Sequence, residues 1–454
     1  MQPDVSKVVA EFIDNRIADI QESISVDISQ YVGTDVKRGL RNADGTGVMA
    51  GITRIGDVRG YKLVDGVRQP MRGQLVYRGI DVEKLIDGFM GEGRFGFEET
   101  AYLLLFGKLP DSTSLQVFQD ILAEYRTLPP GFTEDMILSA PSIDIMNKLA
   151  RSVLALYSYD PNPELTDLRS ELDKALHLIA RCPVIVAHAF AAKRHYFDKE
   201  SLIIHRPQDG LSTAENFLHI ARQNSSFTRE EAQLLDLCLV LHAEHGGGNN
   251  SAFACRVLSS TGTDMYSAIA AAVGSLKGPK HGGANKKVME MFKCIEEGVK
   301  DWTDDEEIVA YLRRILRKEA GCGDGLIYGF GHAIYTLSDP RAVRLRDLAS
   351  KLAKGTPYEA EFNLFASVER LIPVAFEKEG RSAEGMCVNV DFYSGFVYKM
   401  LGIPDELYTP LFAVARMVGW CAHRIEEVFN QSRIIRPAYK AIAPDMEFVP
   451  LRDR

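Results

Sequence analysis

Several things are missing from this sequence, and each absence narrows what the chain can be. No C-x-x-C pair occurs, and the seven cysteines (Cys182, Cys238, Cys255, Cys294, Cys322, Cys387 and Cys421) are scattered and odd in number. That argues against a disulfide framework or a zinc ribbon and suits reduced thiols in the cytoplasm. No apolar run approaches the roughly 18 residues that a membrane span requires. The opening stretch "MQPDVSKVVAEFIDNRI" carries acidic residues and no apolar core of the signal-peptide kind. A basic excess is also lacking: 53 Lys and Arg stand against 62 Asp and Glu, a formal net charge of −9. This disfavours non-specific nucleic-acid binding and anionic membrane surfaces as partners. It leaves room for a small anion held by a local group of arginines. No fixed-period repeat and no low-complexity tract is present, so a solenoid is not expected.

What is present is helical. From about residue 81 onward, "VEKLIDGFM", "FEETAYLLLFG", "SLQVFQDILAEY", "IDIMNKLARSVLALYS" and "LRSELDKALHLIARCPVIVAHAFAAKRH" carry apolar residues at i, i+3, i+4 spacing. Gly, Pro and Asn punctuate them. "TAENFLHIARQ", "REEAQLLDLCLVLHAEH" and "DMYSAIAAAVGSL" continue the pattern, and amphipathic helices are expected at 340–353 and 359–379. "TDDEEIVAYLRRILRKEAG" opens acidic and closes basic, which suits a helix dipole. The Gly-, Asp- and Val-rich stretch 34–75 reads instead as two or three short strands cut by turns. A chain of 454 residues is long enough for two or three domains and a large core.

Four stretches carry candidate chemistry, and each also has a plain structural explanation. In "LKGPKHGGANKKV", His281 stands between a Gly-Pro step and a Gly-Gly pair; the plain alternative is a helix-to-helix turn with an incidental histidine. "LHAEHGGGNNS" places His242 and His245 as HxxH at a helix end, a weak metal pattern without a third ligand at the right spacing. "GLIYGFGH" offers backbone N–H groups for a phosphate or an adenine, or is a flexible turn before His332. In "NVDFYSG", Asp391 is flanked by Val390 and Phe392. Desolvation there raises a carboxyl pKa toward the range of a general base, whereas the structural alternative is a helix N-cap. Arg341, Arg416 and Arg436 are candidates for a carboxylate ligand or for structural salt bridges; Arg416 interrupts an otherwise apolar helix.

"HAEHGGGNNS", "LKGPKHGGAN", "GFGHAIYTLSDPRA" and "NVDFYSG" occur in that order. Together with "GQLVYRGIDVEKL" and "ARMVGWCAH…RP" they give the chain a resemblance to the citrate synthase family over most of its length. The resemblance implies a mainly α, two-domain helical fold with a few short N-terminal strands. The large domain would cover 1–282 and 403–454, and the small domain 283–402. It further implies that His281, His332 and Asp391 are catalytic. His245, Asn249, His332, Arg341 and Arg416 would bind oxaloacetate, with Arg436 reaching in from the second subunit of a homodimer. The loop 326–331, through Leu326, Gly329 and Gly331, would touch coenzyme A. The acyl-CoA thioester is then a substrate, and no metal or redox cofactor is needed. In the implied reaction Asp391 removes a methyl proton of acetyl-CoA while His281 hydrogen-bonds the thioester oxygen. His332 protonates the oxaloacetate carbonyl, and water cleaves the product thioester to give citrate. The same residues would serve 2-methylcitrate synthase, which takes propionyl-CoA. A metal-dependent hydrolase using His242, His245 and His281 is the alternative from another class. The sequence departs from the family pattern at Glu244, where Asp is usual. It departs also at Lys280, at Thr336 where a basic residue is common, and in "GMCVNVDF", which lacks a Tyr-Pro pair.

Overall fold

A computed structural model describes residues 7, 12–17, 21, 24–25, 34–64, 67–430, 433–443 and 445–453. Residues 1–50 form one compact unit and 51–454 another. In the first, a 3₁₀ turn at Arg38–Leu40 precedes a small loop closed by an Arg41–Gly47 bridge. Most of the opening stretch "MQPDVSKVVAEFIDNRI" lies outside the described residues.

The second unit starts with an antiparallel hairpin, β1 (Gly56–Val64) and β2 (Val67–Tyr77), extended by β3 (Ile80–Asp81). The expected strands therefore fall in the second half of the Gly- and Val-rich stretch. After them the described chain is helical. α1 is Val82–Gly91, α2 Phe97–Phe106, α3 Ser112–Tyr125, α4 Ile145–Leu156 and α5 Leu168–Tyr196. α6 is Thr213–Ala221, α7 Arg229–His242, α8 Asn250–Ser259, α9 Met265–Lys277 and α10 Ala284–Gly298. α11 is Asp305–Leu316, α12 Pro340–Ala353, α13 Glu359–Lys378, α14 Val390–Met400 and α15 Tyr408–Phe429.

Short polar side chains start these helices by accepting from orphan N–H groups of the first turn. Asp81, Asp111, Asp144, Asp167, Asp264, Asp304 and Asp339 do so, and Ser212 and Thr228 form reciprocal capping boxes with Glu215 and Glu231. α11 has the anticipated polarity, with Asp305, Glu306 and Glu307 in its first turn and Arg313 and Arg314 in its last.

α15 is the axis of the unit. Seventeen of its residues are buried, and α2, α5, α7, α8 and α9 pack around it. α10 to α14 pack chiefly on one another. One sequence expectation needs correction here. α5 contains an 18-residue window of mean hydropathy 1.6, long and apolar enough by composition to cross a membrane. The sequence reading counted unbroken apolar runs, whereas a helix buries its apolar residues past an occasional Arg181 or His177. In the fold 78% of that window is buried, as in the core helix of a globular protein.

Candidate active site

The turn bearing His281 joins α9 to α10 and is too tight for side chains at its glycines. Gly282 N–H donates to Leu276 O at 2.9 Å, and His281 N–H to Gly278 O at 2.9 Å. A Cβ on Gly282 would stand 2.6 Å from Leu276 O, and one on Gly283 2.9 Å from Pro279 Cα. Held this way, the His281 ring places Nε2 at 3.1 Å from both Asn249 Oδ1 and Ser251 Oγ. These partners differ in kind. The Asn249 oxygen only accepts, which would put the ring proton on Nε2. The Ser251 hydroxyl donates, which would put it on Nδ1. Trp420 Nε1–H donates to Ser251 Oγ at 3.1 Å, and the single Ser251 hydroxyl hydrogen has two acceptors in reach, Asn249 Oδ1 at 2.9 Å and His281 Nε2 at 3.1 Å. Burial, followed by the charge of Arg416, lowers the His281 pKa to about 4, so the ring is neutral near pH 7.

His242 and His245 do not share a helix face. α7 ends at His242, and the chain turns out through Gly246 at φ +83°. His242 Nδ1–H donates to Cys238 O at 2.7 Å, and its ring packs edge-on to Phe412. His245 turns instead toward His332, with their Nε2 atoms 3.1 Å apart. His332 Nδ1 accepts from the N–H groups of Ile334 and Tyr335 at 3.1 Å each, so its ring proton lies on Nε2 and points at His245. His245 then carries its proton on Nδ1, an atom that is buried and has no partner among the described residues. Burial, helped by the charge of Arg341, drives the His245 pKa well below the ordinary range. The HxxH metal pattern therefore does not form, and among the described residues no group of three His, Cys, Asp or Glu side chains is placed to share a metal ion.

The segment after His332 rests on the β1–β2 hairpin. Cβ atoms at Gly60 and Gly73 would meet Ile334 O at 2.2 Å and Ser338 O at 2.1 Å. Thr336 Oγ1 donates to Gly60 O, beside the irregular register between Arg59 and Tyr61. Thr336 thus stitches the loop to the sheet, a use for a hydroxyl that a long basic side chain could not serve.

Two arginines complete the cluster. Arg341 is 3% exposed and forked onto Asp339, with Nε to Oδ1 at 3.0 Å and Nη2 to Oδ2 at 2.7 Å. Arg416 is 0% exposed. Its Nε–H donates to His242 O at 2.6 Å, while Nη1 and Nη2 are buried with no partner among the described residues. Burial lowers its pKa to about 10, against the pull of Glu244.

Asp391 is not a cap. Asn389 caps α14, its Oδ1 accepting the Asp391 N–H at 3.0 Å, which frees the Asp391 carboxyl for another purpose. The side chain keeps partial exposure, but Oδ1 is buried and unpartnered among the described residues. Burial raises its pKa to about 7, with Arg341 pulling the other way. The loop 326–331 is fastened to the start of the same helix. Gly331 N–H donates to Cys387 O at 2.8 Å, Asn389 N–H to Gly329 O at 2.8 Å, and Asn389 Nδ2 to Gly331 O at 2.9 Å. Gly329 sits at φ +77°, where a Cβ would also collide with Val288 and the Phe392 backbone. Leu326 is 57% exposed at the outer end of this loop. Arg436 is exposed on the C-terminal tail, next to Ile435, whose N–H donates to Ser260 Oγ at 3.0 Å.

A citrate synthase family model, described as the C-terminal domain of citrate synthase, matches residues 42–438. The citrate synthase of Synechocystis sp. is 34% identical over 93% of this chain and 96% of its own length. The 2-methylcitrate synthase 1 of Corynebacterium glutamicum is 32% identical over 93% of this chain and 99% of its own. Among solved structures, the citrate synthase of Thermoplasma acidophilum, in a ternary complex with carboxymethyl coenzyme A and oxaloacetate, superposes with a TM-score of 0.76 at 28% identity. That match covers 92% of this chain and all of that one. The chain belongs to the citrate synthase family.

Within that family the Glu244 departure has a local explanation. A Cβ at Gly56 would stand 2.7 Å from Glu244 Cγ, and one at Gly419 2.5 Å from Glu244 Oε2. The two glycines open the space that the longer acid fills. Its Oε1 accepts from His423 Nε2 at 2.8 Å and from Gly246 N–H at 2.6 Å. Burial raises the Glu244 pKa, but His423, Arg416 and the Gly246 N–H together outweigh it and the net shift is downward. Sequence reasoning missed Ser251, Trp420, His423, Arg256 and Tyr335 as neighbours of this site. "CAHR", a histidine inside a helix with seventeen buried residues, was the signal available for His423.

Proposed function

We propose that the chain condenses acetyl-CoA with oxaloacetate and water to give citrate and coenzyme A. The observation that carries this reading is the Arg416 guanidinium, fully buried with two nitrogens unpartnered among the described residues and with neutral His245 and His281 in its field. Burying such a group without a receiver costs several kcal/mol, and a bound carboxylate offsets it. Arg341, His245 and Asn249 would complete the oxaloacetate site.

In the proposed mechanism Asp391 is the base. A carboxyl with a pKa of about 7 is half ionised near neutral pH and basic enough to take a proton from a thioester methyl group. His281 supports the developing enolate through Nδ1–H, in the tautomer that forms when Ser251 turns its hydroxyl hydrogen from Asn249 Oδ1 to His281 Nε2. A fixed donor of this kind contributes about 3 kcal/mol. His332 gives its Nε2 proton to the carbonyl oxygen of oxaloacetate as the carbon–carbon bond forms. Water then cleaves the condensed thioester. The substrate is itself the thioester, and no metal or redox cofactor enters. The mutual packing of α10–α14 supports a small domain at 283–402 between large-domain parts 1–282 and 403–454, and closure of the cleft would hold water out until condensation is complete. Arg436, exposed in this chain, would complete the site of a partner in a cytoplasmic homodimer, and the seven free cysteines accord with a reducing compartment.

Propionyl-CoA is the second reading, favoured by the 2-methylcitrate synthase relative, which is nearly as similar as the citrate synthase relatives. One methylene is worth about 1–3 kcal/mol in a pocket, so the two donors differ in degree. The test is thiol release from acetyl-CoA and propionyl-CoA, each with and without oxaloacetate. Release that depends on oxaloacetate and is faster with acetyl-CoA supports the first reading, and a reversed preference supports the second. Oxaloacetate-independent release contradicts both. For the dimer, mixed Arg436→Ala and Asp391→Asn chains should regain activity in hybrid sites.

A further inference from the structure

Behind the substrate cluster runs a second set of buried charges that the mechanism does not use. Arg256, on α8, donates from Nη2 to His423 Nδ1 at 2.7 Å and from Nη1 to Glu427 Oε2 at 2.7 Å, and it also reaches Glu426. A guanidinium only donates, so His423 Nδ1 presents its lone pair and the ring proton lies on Nε2. That proton goes to Glu244 Oε1 at 2.8 Å. Gly247 makes the approach possible, since a Cβ there would stand 3.2 Å from Arg256 Nε and 3.4 Å from His423 Cε1. The result is a directed chain, Glu427–Arg256–His423–Glu244, with every proton position set by its neighbour.

The chain ends beside the anion site. A Cβ at Gly419 would touch both Glu244 Oε2, at 2.5 Å, and Arg416 Cδ, at 3.4 Å. Glu244 Oε2 and both terminal nitrogens of Arg416 are buried without partners among the described residues. A carboxylate and a guanidinium so close would ordinarily fork onto each other. Here Oε1 is held back by two donors, His423 Nε2–H and Gly246 N–H.

We infer that Arg256 and His423 are positioning residues that restrain the Glu244 carboxylate, so that it does not close on Arg416 and take the place of the substrate carboxylate. The inference rests on the oxaloacetate reading of Arg416. With the His423 N–H removed, the Gly246 N–H alone holds Glu244, whose other oxygen can turn and become an internal competitor for the guanidinium. Oxaloacetate affinity then falls while the chemistry at Asp391 and His281 is left intact.

The experiment measures oxaloacetate binding by calorimetry, together with KM and kcat, on the full chain. His423→Phe should weaken oxaloacetate binding tenfold or more and leave kcat within about threefold, because the loss is of ground-state binding. Glu244→Gln placed in the His423→Phe background should restore much of the affinity, since an uncharged amide competes poorly for Arg416. A purely structural role for His423 predicts no such rescue. Arg256→Met lies nearer the surface and carries the test if His423→Phe does not fold; it should move KM in the same direction by a smaller factor. A parent chain that does not bind oxaloacetate overturns both the oxaloacetate reading and this one. A parent that binds it, with unchanged affinity in Arg256→Met and no rescue by Glu244→Gln, overturns the restraining role alone.

Discussion

Arg416 and Arg424 lie on the same helix, about two turns apart, and both are 0% exposed. Their surroundings differ in one respect. Arg424 meets Glu171, itself 0% exposed, through Nε and Nη2 at 3.1 Å each, leaving only Nη1 without a partner among the described residues. Arg416 meets a single backbone carbonyl and the Phe412 ring, whose centroid is 4.8 Å from its Cζ, and leaves both terminal nitrogens without a hydrogen-bond partner among the described residues. The acids divide in the same way, with Glu171 engaged by Arg424 and Asp391 Oδ1 facing no donor among the described residues. For the two arginines, residue type and burial are therefore the same in a closed ion pair and in an open site. The open pair keeps its charges unsatisfied, at a cost to stability, and that is what a site awaiting an anion and a proton requires.

The sharpest way to break this comparison is at the open acid. Asp391→Asn should fold normally and bind oxaloacetate, yet lose about 10²–10⁴-fold in turnover, the usual contribution of a general base. Steady-state rates beside a thermal midpoint decide it; a variant within threefold of the parent would show that the open carboxyl is not the base. Next comes the closed pair. Arg424→Met should cost about 3–5 kcal/mol in denaturant unfolding, because it strands Glu171 in the core, and the folded fraction should keep the parent KM. Adding Glu171→Leu should recover much of that loss. Arg416→Gln should do the reverse. It raises the KM for oxaloacetate by roughly tenfold to a hundredfold, as the loss of charged hydrogen bonds of about 1.5–3 kcal/mol implies, with little loss of stability or a gain.

The smallest effect is on pH dependence. The folded pKa of Asp391, about 7, stands above its unfolded value of 3.8. Between those values the folded chain holds a proton that the unfolded chain has released. The associated stability is present below about pH 4 and is lost as pH rises through 7. Asp391→Asn should therefore match the parent near pH 4 and exceed its thermal midpoint at pH 8. Parent turnover should rise across the same interval as the base ionises; a flat profile through pH 7 would assign the proton abstraction elsewhere.

Much of the fold was legible in the sequence because its signals are local. Apolar spacing, acidic first turns and the capping pairs Ser212–Glu215 and Thr228–Glu231 each act within one or two helical turns. α8 and α14 were harder to read. "NSAFACRVLS" is short and follows three glycines, and Asp391 resembles a cap until Asn389, two residues earlier, is seen to take that role. The HxxH motif was a weak metal pattern for a related reason, since the helix stops at His242 and the second histidine leaves on a glycine with positive φ.

By itself the sequence determined the helical class, the order of the four histidine- and aspartate-bearing segments, and the kinship that order reveals. The tertiary structure alone decided which charges are satisfied. Glu244 and His423 are 179 residues apart in the chain, Glu171 and Arg424 253, and no periodicity or local motif links such pairs. A buried charge is defined by what faces it, and what faces Arg416, Asp391 and Glu244 was settled only when distant helices packed around α15.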